Sequence, residues 1–207
     1  PFGFKSFLHS IPLWIKDKLF QKNILFNELK KIDINFKEKN KIKFSDHHLS
    51  HAASSFYPSP FKEAAFLTLD GVGEWTTTSY GYADDTNLNF DCQIQFPHSL
   101  GLLYSAFTYY LGFKVNSGEY KMMGLAPYGE PKYTNLIFKE LIDLKDDGSF
   151  KLNMKYFSYT THLKMINKKF ENLFGVKRRT PEIDKIEIFH MNVASSIQRV
   201  IEIVVIK

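Results

Sequence analysis

Asp46-His47-His48-Leu49-Ser50-His51-Ala52-Ala53-Ser54-Ser55-Phe56-Tyr57 leads within a few residues into Ala64-Ala65-Phe66-Leu67-Thr68-Leu69-Asp70-Gly71-Val72-Gly73-Glu74-Trp75. The first stretch sets three histidines in five positions ahead of a run of small residues, which predicts a helix with Ser45 or Asp46 as its N-cap. On a helix His47 and His51 share a face, with Cβ atoms roughly 5–6 Å apart. His48 stands three residues from His51 and is also within reach, so the spacing leaves the chelating pair open. The second stretch is an apolar run of a length that suits a buried strand, closed by Asp70. If the helix packs at that end of the sheet, two imidazoles and a carboxylate can hold a divalent cation with open positions: iron, zinc or manganese. One histidine alone would more often be a helix contact or a solvated side chain. Three beside Asp-Gly-x-Gly weigh toward metal.

Working outward, Pro58 and Pro60 stop the histidine helix and turn the chain into the strand ending at Asp70. Gly71 and Gly73 permit a tight turn whose N–H groups can face a phosphate. Trp75–Tyr82 reads as a strand, Ala83–Asn87 as a hairpin turn and Leu88–Phe96 as the return strand. Strand, glycine turn, strand, hairpin, strand is the layout of the phosphate-binding half of actin-like and sugar-kinase ATPases, so the expected class is α/β, a mixed sheet with flanking helices. Downstream, helices are expected over Ser99–Leu111, ended by Gly112, over Glu119–Leu125 and Tyr133–Leu144, and over Lys168–Phe174, ended by Gly175. Ile183–Ile206 is the longest helical pattern, with Ile186, Phe189, Val193, Ile197, Val200 and Val204 on one face. Gly118, Glu119 and Lys121 cluster where a ligand loop would lie, although a capped helix–loop–helix connector explains their spacing equally well. Near the start, Phe4–Lys22 reads as an amphipathic packing helix interrupted by Pro12, with Leu8, Ile11, Ile15 and Leu19 in a stripe.

The chain of 207 residues is long enough to bury a substantial core, and 44% apolar residues argue against disorder. Twenty Phe and eleven Tyr read as compositional bias rather than as a stacking surface. The net charge of +5 is scattered; Lys177-Arg178-Arg179 is the one dense run, and it reads as a solvated loop, so nucleic acid is not an expected partner. A single Cys92 excludes an internal disulfide and suits a reducing compartment. No apolar run approaches the roughly 18 residues of a membrane span, so the expectation is a cytoplasmic protein without a membrane partner. The chain opens on Pro1 and closes at Lys207 inside an apolar helical run, which reads as a fragment.

Three blocks in order carry a resemblance. His47-His48-Leu49-Ser50-His51-Ala52-Ala53-Ser54, then Leu69-Asp70-Gly71-Val72-Gly73-Glu74-Trp75-Thr76-Thr77, then Ser99–Tyr104 with Lys114–Gly129, resemble the O-carbamoyltransferases of the nodulation-factor, tobramycin and cephamycin type. The resemblance implies an ATPase-like N-terminal domain similar to the threonylcarbamoyl-adenosine synthesis protein, with residues 1–207 a part truncated at both ends and a C-terminal YrdC-like domain absent. It implies that carbamoyl phosphate and ATP form carbamoyl-adenylate, and that the carbamoyl group passes to a hydroxyl of a small-molecule acceptor. Metal positions, for iron(II), fall on His47, His51 and Asp70. Gly71, Gly73, Gly118, Glu119 and Lys121 fall on the nucleotide and carbamoyl pocket. His48, turned about 100° from His47 on a helix, is left as the catalytic candidate, facing a neighbouring element and orienting substrate. Two other classes stay open: a tRNA threonylcarbamoyl-adenosine-type modification protein and a non-catalytic metal- or nucleotide-binding module.

Overall fold

The structure, a computed structural model, describes residues 3–207; Pro1 and Phe2 lie outside the described residues. The described residues form two compact units, divided between residues 46 and 47. In the first, α1 (Gly3–Leu13) carries Pro12 near its end and runs into a π-helical turn, Trp14–Lys18, before α2 (Gln21–Ile32). Proline removes an N–H from the helical ladder, and the wider turn begins two residues later. Leu8, Ile15 and Leu19, expected to pack, are more than half exposed, and no residue of α2 is buried. Two short helices alone have too little facing surface to cover an apolar stripe.

The second unit opens with α3 (His47–Phe56), which lies on a three-stranded sheet of β1 (Glu63–Gly73), β2 (Thr76–Asp84) and β3 (Asn87–Gln95). His48, Ala52 and Phe56 recur at four-residue spacing and form the buried face of α3; Ala52 and Phe56 pack with Phe66 and Ala83 of the sheet. Both β1–β2 and β2–β3 are antiparallel. The expected mixed sheet is therefore corrected: among the described residues every strand pair is antiparallel. Strand β1 is at the edge and buries one face only, with Phe66 and Thr68 inward and Leu67 and Leu69 turned outward. Its pairing with β2 is regular to Leu69↔Thr78 and resumes at Gly73↔Thr76. Asp70, Gly71 and Val72 thus form a bulge opposite Thr77, and such an irregularity re-aims the side chains it carries.

Beyond the sheet, α4 (Leu100–Tyr110) begins at Ser99, whose hydroxyl caps Leu102 N–H, and ends before Gly112, which takes φ +79°. It is followed by α5 (Glu119–Leu125) and α6 (Thr134–Glu140). The helix expected over Tyr133–Leu144 stops at Glu140. Ile142–Leu144 is instead β4, paired with β5 (Phe150–Leu152) across a turn in which the Asp147 carboxylate accepts from Ser149 N–H and Oγ–H. Helices α7 (Lys168–Phe174) and α8 (Ile188–Ile206) complete the unit. The long pattern read from Ile183 begins as a helix only at Ile188, where the Glu187 carboxylate and His190 ring cap it reciprocally. Val193, Ile197, Val200 and Val204 are buried as expected, while Ile186 is exposed.

The core lies between α4 and α8, where Leu103, Phe107, Tyr110 and Leu111 belong to one cluster with Val193, Ile197 and Val200. Phe170 and Phe174 of α7 meet Phe107 edge-on, with ring centroids 5.1 and 5.8 Å away. The abundant aromatics thus have a packing use, which their count alone did not disclose. The basic run also differs from its reading as a solvated loop. Arg179 is buried and donates through Nε to Leu111 O, while Arg178 Nε donates to Tyr109 O, its guanidinium 4.1 Å from the Tyr109 ring. Both cations face the terminal carbonyls of α4, where the helix dipole attracts positive charge. Among the described residues, no helix is long and apolar enough to cross a membrane.

Candidate metal centre

His47 and His51 project from one face of α3 toward the bulge at the end of β1. His47 Nε2 lies 2.5 Å from Asp70 Oδ2, His51 Nε2 lies 2.9 Å from His47 Nε2, and His51 Nε2 lies 3.9 Å from Asp70 Oδ2. Among the described residues, these three form the one group of side chains placed to share a metal ion, all ligand atoms within 4.8 Å of one another. The two rings stand edge to face with centroids 4.5 Å apart. The helix thus brings together the pair four residues apart, and the alternative His48–His51 pair is not formed.

The donor set fits a cation. Metal–ligand bonds of roughly 2.0–2.1 Å put adjacent ligand atoms about 3 Å apart, and the observed separations bracket that figure. His47 Nε2 is crowded by both an oxygen and a second imidazole nitrogen, so one N–H cannot satisfy the group in the way one shared cation can. About half of the His51 side chain and nearly as much of His47 remain exposed, which leaves an accessible side for substrate atoms. The carboxylate is oriented from behind, Asp70 Oδ1 accepting Gly71 N–H at 2.6 Å.

His48 turns the other way. Its ring is buried beneath α3, with Nδ1 2.5 Å from Thr68 Oγ1 and 2.9 Å from Ser79 Oγ. Nε2 lies 3.0 Å from Thr76 O, a carbonyl, so Nε2 carries the proton and Nδ1 accepts. Burial is the largest influence on this ring and holds its pKa below the usual histidine value against the opposing pull of the Thr76 carbonyl. Both nitrogens are engaged by protein atoms, so His48, expected as the catalytic candidate, stands apart from the His47–His51–Asp70 group. It shares the buried face of α3 with Ala52 and Phe56 at four-residue spacing.

The glycine turn also moves. Gly71 and Gly73 both remain in β1 at ordinary backbone angles, and the turn falls on Glu74 and Trp75, with Glu74 at φ +60°. Gly73 is required for another reason: a Cβ there would overlap the His47 and His48 rings. Gly71 has open space at its Cβ position. Ser99, expected only as the start of a helix, lies 3.0 Å from Asp70 O and 2.7 Å from Gly71 O through its hydroxyl. Gly101 lets α4 approach, since a Cβ there would meet Asp70 O at 2.7 Å. Helix α4 therefore buttresses the strand end that carries Asp70.

Gly118, Glu119 and Lys121 are not among the converging ligands. Gly118 is the N-cap of α5, and the Glu119 carboxylate accepts from Ser105 Oγ, Asn116 N–H and Gly118 N–H. Burial pushes this carboxyl up, but the hydrogen bonds from Asn116 and Ser105 together hold it below its ordinary value. They clamp a loop in which Asn116 takes φ +66°. Lys121 is exposed, its ammonium 5.9 Å from the Tyr120 ring. Ser105 ties this loop to α4 six residues beyond Ser99, about 9 Å along the helix.

The family model for the carbamoyltransferase N-terminus matches residues 1–207. An uncharacterized protein of Synechocystis sp. is 55% identical over the whole chain, which spans 34% of that relative. An uncharacterized protein of Methanocaldococcus jannaschii is 33% identical over 87% of the chain and 29% of its own length. Nodulation protein NolNO of Sinorhizobium fredii is 37% identical over 55% of the chain and 16% of its own length. The chain thus spans about a third or less of the curated relatives it matches.

Proposed function

Starting from a chain that belongs to the carbamoyltransferase N-terminus family, we propose that the protein transfers a carbamoyl group to a hydroxyl of a small-molecule acceptor, using a metal held by His47, His51 and Asp70. The observation that carries this reading is the convergence of those three side chains at one exposed point. In our reading carbamoyl phosphate releases phosphate, and the resulting carbamate displaces pyrophosphate from ATP to give carbamoyl-adenylate. The acceptor hydroxyl then loses its proton and bonds through oxygen to the carbamoyl carbon as AMP leaves. A bound divalent cation, iron(II) here, would polarise a carbonyl or phosphoryl oxygen. The two Nε2 atoms and Asp70 Oδ2 would hold it, with the Gly71 N–H fixing the carboxylate plane. The β1–β2–β3 meander followed by α4 supports an actin-like, sugar-kinase type of ATPase domain, of which residues 1–207 would be part, joined in the complete protein to a YrdC-like domain. Gly71, Gly118 and Lys121 remain proposed contacts of the nucleotide side. Glu119 acts there through the loop it clamps. A cytoplasmic location accords with this chemistry.

Membership of the carbamoyltransferase N-terminus family favours a small-molecule acceptor over tRNA. The one dense basic run is tied to α4 through Arg178 and Arg179, which leaves it less free to meet a nucleic acid. The test uses the full-length protein with labelled carbamoyl phosphate, ATP, iron(II) and a panel of hydroxylated small molecules. Expected are a labelled carbamate and AMP, with metal content and transfer both lost in His47→Ala, His51→Ala and Asp70→Ala. Transfer that persists in these folded variants, or in the presence of a chelator, would sink the metal assignment. Metal and ATP binding without any transfer would make the protein a binding module.

A further inference from the structure

The ring of His48 sits one residue after one proposed metal ligand and three before the other, yet points into the sheet. Its three neighbours come from three places on the β1–β2 hairpin: Thr68 on β1, Ser79 opposite it on β2, and the Thr76 carbonyl where β2 begins. Thr68 Oγ1 and Ser79 Oγ are themselves 2.6 Å apart. The hydroxyls thus form a chain, one donating to the other and one donating to Nδ1, while Nε2–H donates to Thr76 O. This arrangement allows one neutral tautomer and one ring orientation. Thr68 is two residues from Asp70 on the same strand, and Thr76 pairs with Gly73, which closes the Asp70 bulge. The elements gripped by the ring are therefore those that set the direction of Asp70, while the backbone of the ring is the helical turn that sets the direction of His47 and His51. Gly73 leaves room for both rings at the junction, since a Cβ there would strike His47 and His48 alike.

We propose that His48 is the positioning residue of the metal centre, holding the helix-borne imidazoles and the strand-borne carboxylate at the separation a cation requires. This rests on the metal assignment for His47, His51 and Asp70. The polar network fixes the strand spacing and the helix rotation in a way that an aliphatic side chain of the same size would not. Partners that orient the ligands of a metal typically contribute 10–100-fold to its affinity, and the same range is expected here.

The experiment titrates cobalt(II) into the metal-stripped full-length protein, reading affinity and visible spectrum, with urea unfolding of each variant alongside. His48→Leu is expected to lose stability and to bind cobalt about 10–100-fold more weakly. The triple variant His48→Leu, Thr68→Val, Ser79→Ala removes the network as a unit and is expected to recover most of the stability, because matched apolar replacement leaves few buried groups unpaired. It should still bind cobalt weakly and with an altered spectrum. Thr68→Val alone keeps the ring and removes its partner at 2.5 Å, so it reports even if the triple variant does not fold; a few-fold loss of affinity is expected. Wild-type affinity and spectrum in Thr68→Val, or in a folded triple variant, would overturn the positioning role while leaving the metal centre intact. Cobalt that fails to bind wild type, or binds undiminished in His47→Ala and Asp70→Ala, overturns the centre and the inference together.

Discussion

Gly73 shows how a residue without a side chain can be part of a site. Its backbone angles are open to any residue, so what it supplies is the volume into which the His47 and His48 rings fit. Gly71, two positions earlier, has nothing near its Cβ position. The two therefore separate cleanly. Gly73→Ala is expected to destabilise the protein by about 1–3 kcal/mol through overpacking and to weaken metal uptake by pushing the His47 ring aside. Gly71→Ala should stay within about 0.5 kcal/mol of wild type. Urea midpoints together with metal content check both, and equal behaviour of the two glycines would contradict the steric account.

Helix termini carry much of the work among the elements. Ser99 starts α4 and at the same time meets the carbonyls of Asp70 and Gly71; Arg178 and Arg179 close its other end. At the start of α8, the buried His190 ring accepts Glu187 N–H through Nδ1. Burial first, then the nearby Arg179 charge, hold its pKa below the ordinary value. The unfolded chain, near pKa 6.5, then takes up its proton before the folded one does. Stability from this group is fully present above about pH 6.5 and is lost as the pH falls toward the depressed folded value. His190→Gln keeps an acceptor suited to a capping box and removes the titration. The expected outcome is a shallower fall of the urea midpoint below about pH 6.5. It is shallower and not flat, because His48 and His98 are shifted in the same direction by burial.

For the molecule as a whole, stability and site geometry are supplied by different parts of the second unit. The core between α4 and α8 is held by aliphatic and aromatic packing, whereas α3 rests on the sheet through a small cluster of Ala52, Phe56, Phe66 and Ala83 plus the His48 network. Ile197, fully buried in the main cluster, is the place to separate the two. Ile197→Ala is expected to cost about 2–5 kcal/mol and to lower the thermal midpoint. At temperatures where the variant remains folded, its metal affinity should match wild type. A loss of metal affinity in the folded variant would mean that the core and the centre are coupled more tightly than this division allows.

Local pattern was enough for several of these features. Helices α4 and α7, the β2–β3 hairpin and the buried face of α8 follow from caps, turn residues and periodicity, which act over a few positions along the chain. The convergence of His47, His51 and Asp70 was also legible, because an i,i+4 histidine pair and a strand-ending aspartate have characteristic spacings. The contacts that orient it were not. Thr68, Ser79 and the Thr76 carbonyl meet His48 only because β1 and β2 pair in one register beneath α3. The same dependence on pairing moved the turn from the glycines to Glu74–Trp75 and converted Ile142–Leu144 from helix to strand. It also left one face of β1 outward where a buried strand was expected. Which side of a histidine helix meets the sheet depends on an i,i+4 stripe with only two apolar members, Ala52 and Phe56, and that stripe acquires its meaning only once a sheet face is there to receive it.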